Sequence, residues 1–287
     1  MQPQPPTHGP EADPPELKIY FLPNLLTAAN LFCGFVALTK IVDTDRADLE
    51  AGDFTRIYWA LAFILLACIF DLFDGRVARM GGRESPFGRE FDSLADLISF
   101  GVAPAFLVHR VVLKDISESH PEIGWFIASI YLICGAFRLA RFNCLASMSG
   151  TGGGKEFLGF PIPSAAGLVA SLTLLMIWLQ EKSFYKSYLK FILPALLLFL
   201  SWMMVSNVKY PTFKTLDLKA TRTFTKTLIG ILLVGAVLVL QQNILVFVLP
   251  VFFTAYLLYG FIRPRISHQM RREIEEEDED ENDSTTV

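Results

Sequence analysis

The sequence predicts an all-α, polytopic integral membrane protein, and three observations carry that expectation. Apolar stretches of about 18 or more residues, each able to cross a hydrocarbon core of roughly 30 Å as a helix, recur along almost the whole chain of 287 residues. Charged residues make up only 19 % of it, against roughly 25 % in soluble domains. Lys and Arg also divide unevenly between alternate loops, as the positive-inside rule requires of a spanning protein.

Taken in order, residues 1–17 are proline-rich and acidic and read as a disordered lead-in. They lack the basic segment and apolar core of a cleaved signal peptide. A membrane domain follows over 18–265, with eight expected spans at 22–42, 57–80, 88–112, 123–147, 163–180, 187–207, 224–241 and 243–262. The first carries Asn24, Thr27 and Asn30, the second and third carry a dense run of charge, and the fourth carries Arg138, Arg141 and Asn143. The last four are almost purely apolar. Between the fourth and fifth, "SGTGGGKE" (Ser149 to Glu156) fails the phosphate-loop pattern, which needs Gly at 149 and Ser or Thr at 156, and reads as a flexible connection. Residues 266–287 form an acidic, disordered tail.

With the N-terminus in the cytoplasm, 17 of the 25 basic residues fall on the cytoplasmic side and eight on the other, so both termini are expected to be cytoplasmic. The formal net charge of -4 reflects the tail, where "EIEEEDEDEND" (Glu273 to Asp283) holds nine of the 29 acidic residues. Without it the body is mildly basic, which suits anionic lipid headgroups or a phosphorylated substrate; no nucleic-acid partner is expected. Cys33, Cys68, Cys134 and Cys144 lie far apart in apolar runs and read as small hydrophobes, and the four scattered His residues suggest no zinc site.

The chemistry is expected in "DLFDGRVARMGGRESPFGREFDSLAD", Asp71 to Asp96. At 3.6 residues per turn, Asp71, Asp74, Gly75 and Ala78 share one face of the second span, and Gly88, Asp92 and Asp96 share one face of the third. A connection of about seven residues makes the two helices antiparallel, so the stripes can face each other and four carboxylates converge. An aspartate at the centre of a spanning helix costs about 2.5 to 3.5 kcal/mol. An interfacial ion network with Arg76, Arg79, Arg83 and Arg89 is one way to offset that. Divalent cations are another, and oxygen-only ligation suits Mg²⁺ or Mn²⁺, two of which could bridge a diphosphate.

The pattern Asp71-x2-Asp74-Gly75-x2-Ala78-Arg79-x8-Gly88-x3-Asp92-x3-Asp96 resembles, without departure, the signature of the CDP-alcohol phosphatidyltransferase family. "LPNLLTAANLFCGFVAL" (Leu22 to Leu38), "FDSLADLISFGVAPA" (Phe91 to Ala105), "CGAFRLARFN" (Cys134 to Asn143) and "FLGFPIPSAAG" (Phe157 to Gly167) resemble its integral-membrane phosphatidylserine synthase branch. The resemblance implies transfer of a phosphatidyl group from CDP-diacylglycerol to L-serine, at the cytoplasmic face of the cell (inner) membrane, by a homodimer. It implies that Asp71, Asp74, Asp92 and Asp96 bind two divalent cations and that Asp96 also accepts the alcohol proton. Gly75, Ala78, Arg79, Ser85 and Gly88 fall where the family holds CDP-diacylglycerol.

For the acceptor, Arg138 and Arg141 could clasp the serine carboxylate. Asn143, Asn24, Thr27 and Asn30 are open to two readings, substrate contact or interhelical hydrogen bonding. Glycerol 3-phosphate, an inositol phosphate or choline are alternative acceptors. From another class, a cation transporter would hold its site near the midplane in two related halves, whereas these aspartates lie toward one end and no internal repeat is visible.

Overall fold

A computed structural model describes residues 20–80, 85–116, 120–148, 156–184, 187–211 and 245–260. Helix α1, Phe21–Val42, starts with Pro23 in its first turn, where the missing N–H has no intrahelical partner to lose. A short helix α2, Arg46–Glu50, leads to α3, Thr55–Met80. Before α3 the Asp53 carboxylate accepts the Thr55 N–H at 3.0 Å, and hydrogen bonds from Thr55 hold that carboxyl below the usual range.

Helix α4 runs over Pro86–Ile116. Ser85 caps it by accepting the Gly88 N–H at 3.0 Å, with Pro86 in the first turn. Immediately after Asp96 the helix widens to i→i+5 bonding over Leu97–Val102, where the Ala103 N–H reaches the Ile98 carbonyl. Pro104, just past the widened segment, has no N–H to donate, and the buried Tyr131 hydroxyl donates to the Phe100 carbonyl at 3.1 Å. A second widened segment spans His109–Leu113, where Arg110 Nε donates to the Thr44 carbonyl at 2.6 Å beyond the end of α1.

The remaining helices are α5 (Pro121–Met148), α6 (Ile162–Glu181), α7 (Ile192–Val205) and the shorter apolar α8 (Leu245–Gly260). Among the described residues, six helices are long and apolar enough to cross a membrane, and they coincide with the first six expected spans. The expected 243–262 span corresponds to α8. The expected 224–241 span, the 1–17 lead-in and the 266–287 tail lie outside the described residues.

The all-α expectation holds, and the described residues add to it one short ladder in which β1 (Glu156–Leu158) pairs antiparallel with β2 (Lys209–Pro211). Three residues a side are too few to show a strand period in a sequence. The pairing starts where Gly159, at φ +79°, turns the chain against the end of α7; a Cβ there would stand 2.2 Å from the Met204 carbonyl oxygen.

Helices α4 and α6 are central, with 61 % and 67 % of their apolar windows buried, against 33–39 % for the other four. Small residues let these helices approach closely: Ala103 and Ala105 on α4, and Ala165, Ala166 and Ala170 on α6, are all buried. Phe32, Phe35, Trp125, Phe137 and Trp202 point outward, as lipid-facing residues do. The cysteines are free; Cys33 is buried as expected, whereas Cys144 is exposed.

Candidate active site

Alternating helix directions bring four chain segments to one end of the bundle: the start of α1, the end of α3, the start of α4 and the end of α5. Asp71, Asp74 and Asp92 there each offer a carboxylate oxygen, and the three oxygens lie within 4.8 Å of one another. Asp74 is buried, and Asp71 and Asp92 are half-buried. Three like charges at that separation favour a bound cation, and an all-oxygen set suits a hard divalent one. The donors therefore fit the Mg²⁺ or Mn²⁺ expected there.

Asp96 occupies a different position. It is buried beside Asp71, and it accepts from Asn30 Nδ2 at 3.1 Å. Thr27 Oγ1 stands 2.9 Å from Asp74 Oδ2 and 3.2 Å from the Pro23 carbonyl oxygen. For Thr27 and Asn30 the geometry thus supports the interhelical hydrogen-bonding reading, with each residue on one carboxylate.

This register is fixed by a close approach that the sequence reading missed. Ser99 Oγ donates to the Asn30 carbonyl at 2.9 Å, and a Cβ on Gly34 would stand 2.2 Å from Ser99 Oγ and 2.7 Å from Ser99 Cα. Only glycine lets the widened part of α4 lie this near α1. The signal was present: Thr27, Asn30, Gly34, Ala37 and Ile41 recur at helical spacing and are all buried.

Around the carboxylates, Gly75 and Ala78 are half-buried on α3, and Arg79 follows them on the same helix. Ser85 and Gly88 form the cap of α4. The Asn24 side chain lies over Gly88, its Oδ1 3.3 Å from where a Cβ would sit, and its buried Nδ2 has no partner among the described residues.

The two arginines expected to act together serve different neighbours. Arg138 is 8 % exposed and has Asp96 and Asp71 as electrostatic neighbours, and its buried Nε has no hydrogen-bond partner among the described residues. Arg141 instead donates to the Val205 and Ser206 carbonyls at 3.0 and 3.1 Å, tying α5 to the end of α7. The terminal carbonyls of a helix lack intrahelical partners, and this guanidinium supplies them. Asn143 Nδ2 donates to Glu90 and Ser93 at 3.1 and 2.9 Å, which joins α5 to α4.

Known proteins share this arrangement of sequence. A family model described as CDP-alcohol phosphatidyltransferase matches residues 20–206, which include every site residue above. A CDP-diacylglycerol--serine O-phosphatidyltransferase of Helicobacter pylori (strain ATCC 700392 / 26695) is 35 % identical over 252 residues, covering 85 % of this chain and 91 % of its own. One of Bacillus subtilis (strain 168) is 34 % identical over 194 residues, covering 68 % and 92 %. An archaetidylserine synthase of Methanothermobacter thermautotrophicus is 34 % identical over 192 residues, covering 66 % and 69 %. Matched along most of its length and carrying the aspartate pattern on two facing helices, the chain belongs to the CDP-alcohol phosphatidyltransferase family.

Proposed function

We propose that this chain transfers the phosphatidyl group of CDP-diacylglycerol to the hydroxyl of L-serine, giving phosphatidylserine and CMP. The observation that carries the reading is the gathering of Asp71, Asp74 and Asp92 within 4.8 Å, with Asp96 set against Asp71. The relatives' names support serine as acceptor: they agree on it and differ in the lipid.

Asp71, Asp74 and Asp92 are the residues to hold a divalent cation, with Asp96 completing the set if a second is bound. Such an ion would draw electron density from the phosphorus and stabilise the leaving phosphate. Asp96 is also placed to take the serine hydroxyl proton. The serine oxygen then bonds to the phosphorus bearing diacylglycerol, the bond from that phosphorus to the CMP oxygen breaks, and CMP departs with the electron pair. Gly75, Ala78 and Gly88 leave space for the donor's nucleotide and diphosphate, while Ser85 and Arg79 supply donors to the phosphate oxygens. Arg138 is the partner for the serine carboxylate; Arg141, Asn143, Thr27 and Asn30 hold the helices and carboxylates in register, and Asn24 lies beside the donor.

The same reading sets the 18–265 domain in the cell (inner) membrane as eight spans, with both termini and the aspartates on the cytoplasmic side, flanked by the 1–17 lead-in and the 266–287 tail, and two copies forming a homodimer. The positive-inside distribution supports that orientation. The test is to give the purified protein CDP-diacylglycerol, Mg²⁺ or Mn²⁺ and a panel of alcohols, and to follow CMP. CMP release that depends on serine is the expected result. Release dependent on glycerol 3-phosphate, an inositol phosphate or choline instead would reassign the acceptor, and none with any alcohol would reject the activity.

A further inference from the structure

The end of the bundle away from the aspartates encloses a cavity of about 280 Å³. It lies between α2, the last turns of α4, the close of α6 and the Ser187–Phe191 turn that leads into α7. Buried Phe54 and Val112 form part of its wall. Its charged lining is uneven: Arg46, Arg110, Lys114 and Lys190 face only Glu50 and Asp115, which leaves a surplus of two positive charges.

Arg46 is engaged with Glu50 at 2.8 Å. The Arg110 guanidinium is fixed by the Thr44 carbonyl, a neutral partner that orients it without cancelling its charge, and Asp45, 3.7 Å away, is 79 % exposed and screened by water. The ion pairs among the described residues include neither Lys114 nor Lys190. Lys190 Nζ lies instead 5.5 Å from the centroid of the Phe191 ring, a contact that leaves the ammonium charge in place. A held guanidinium fork and two ammonium groups around one hollow suit the oxygens of a phosphate. Phe184, Tyr188 and Phe191, near Lys190 in the chain, are exposed, as aromatic side chains are at headgroup depth. A soluble anion has no use for that belt, whereas a lipid lies within it.

We propose that this cavity binds the phosphate of an anionic membrane lipid, in the leaflet opposite to the aspartates, with Arg110, Lys114 and Lys190 as its contacts. Lys114 stands 22 residues beyond Asp92 on α4, roughly 30 Å along the helix, so a diphosphate held at the aspartates does not reach these cations. The site is therefore separate from the donor's, and it does not depend on which alcohol the aspartates serve. A lipid seated there joins α2, α4, α6 and the start of α7 through one headgroup.

The test uses the purified full chain in a neutral detergent, with thermal melts and native mass spectra recorded as phosphatidylglycerol, phosphatidylcholine or inorganic phosphate is added. Phosphatidylglycerol is expected to raise the melting temperature and to stay bound in the mass spectrum, and the other two to do neither. Lys114→Gln and Lys190→Gln are each expected to weaken the apparent affinity for phosphatidylglycerol about fivefold, the contribution of one basic residue at a membrane surface. Lys182→Gln, exposed at the end of α6 and outside the cavity, is expected to change it by less than about twofold. Lys114→Arg and Lys190→Arg keep the charge and are expected to bind as wild type does, which separates a lost charge from a lost fold. An equal response of wild type to the two lipids, or free phosphate acting as well as the lipid, overturns the proposal. So does unchanged affinity in both cavity Gln variants, or an equal loss in Lys182→Gln, which would make the attraction a property of the whole face.

Discussion

The two ends of the helix bundle handle charge in opposite ways. At the end formed by the 43–54 connection and the close of α4, opposite charges meet: Arg46 with Glu50 at 2.8 Å, Arg56 with Asp48, and Arg110 with the Thr44 carbonyl and, at 3.7 Å, with Asp45. At the other end, three carboxylates gather within 4.8 Å, and two of the four motif aspartates meet neutral groups, Thr27 and Asn30. Exposed pairs satisfy each other, contribute little and do no chemistry. Like charges held together by neutral hydrogen bonds leave electrostatic work for a ligand to do. The contrast separates an end of paired charges from the end that carries the candidate site.

The largest break should come at Asp96. With the carboxylate replaced in Asp96→Asn, the amide still fits beside Asn30 and Asp71 but cannot take a proton, and kcat is expected to fall by about 10²- to 10⁴-fold. Measuring the serine-dependent CMP rate at saturating cation checks this, and a near wild-type rate would assign proton removal elsewhere.

Glycines at the two ends give the next comparison. Gly34→Ala drives a Cβ into the backbone of Ser99, so a loss of about 1 to 3 kcal/mol is expected, with activity falling as Asn30 moves relative to Asp96. At the paired-charge end, Gly52 has φ +77° and open space around it. Gly52→Ala is expected to lose about 1 to 2 kcal/mol through backbone conformation alone, with activity unchanged in the folded fraction. Denaturation in detergent together with specific activity separates the two, and equal activity losses would erase the distinction between the ends.

A smaller effect is expected at Thr27. Thr27→Val keeps the shape and removes the hydroxyl from Asp74, which should raise the Mn²⁺ concentration for half-maximal rate about tenfold, as a hydrogen bond to a charged group of about 1.5 kcal/mol implies. Thr27→Ser should restore it. A midpoint that stays put in Thr27→Val would detach Asp74 from the cation.

The smallest lies at Asp53, whose carboxyl the Thr55 hydrogen bonds hold below its usual range. A lowered native value means that its contribution is present above the unfolded value near 3.9 and is lost as pH falls through the native one. Thermal melts should show wild type slightly above Asp53→Ala at pH 6, with the gap closing below about pH 4. A gap independent of pH would mean that the carboxylate is not the stabilising group.

The reactive end was largely legible because its spacing is periodic. Asp71 with Asp74 and Asp92 with Asp96 fall on single helix faces whatever surrounds them, and six apolar stretches of spanning length appear where hydropathy puts them. What escaped was pairwise. Arg138 and Arg141 look equivalent at three residues apart, but the carbonyls that claim Arg141 come from α7, more than sixty positions away in sequence. Gly34 matters through Ser99 on another helix, and the Phe100 carbonyl in the widened turn of α4 takes a hydroxyl from Tyr131 on α5. The three-residue strands carry no period at all.

On the reading proposed above, the carboxylate set at the end of α3 and the start of α4 holds a divalent cation for phosphatidyl transfer. The most direct measurement follows CMP release from CDP-diacylglycerol with L-serine as EDTA is added and Mn²⁺ then restored, in wild type and Asp92→Asn. Release is expected to stop with chelator and return with Mn²⁺ in wild type, and the Asp92→Asn protein is expected to stay folded but not to recover at any Mn²⁺ concentration supporting wild type. Release indifferent to EDTA, or an Asp92→Asn protein with the wild-type Mn²⁺ response, would contradict it.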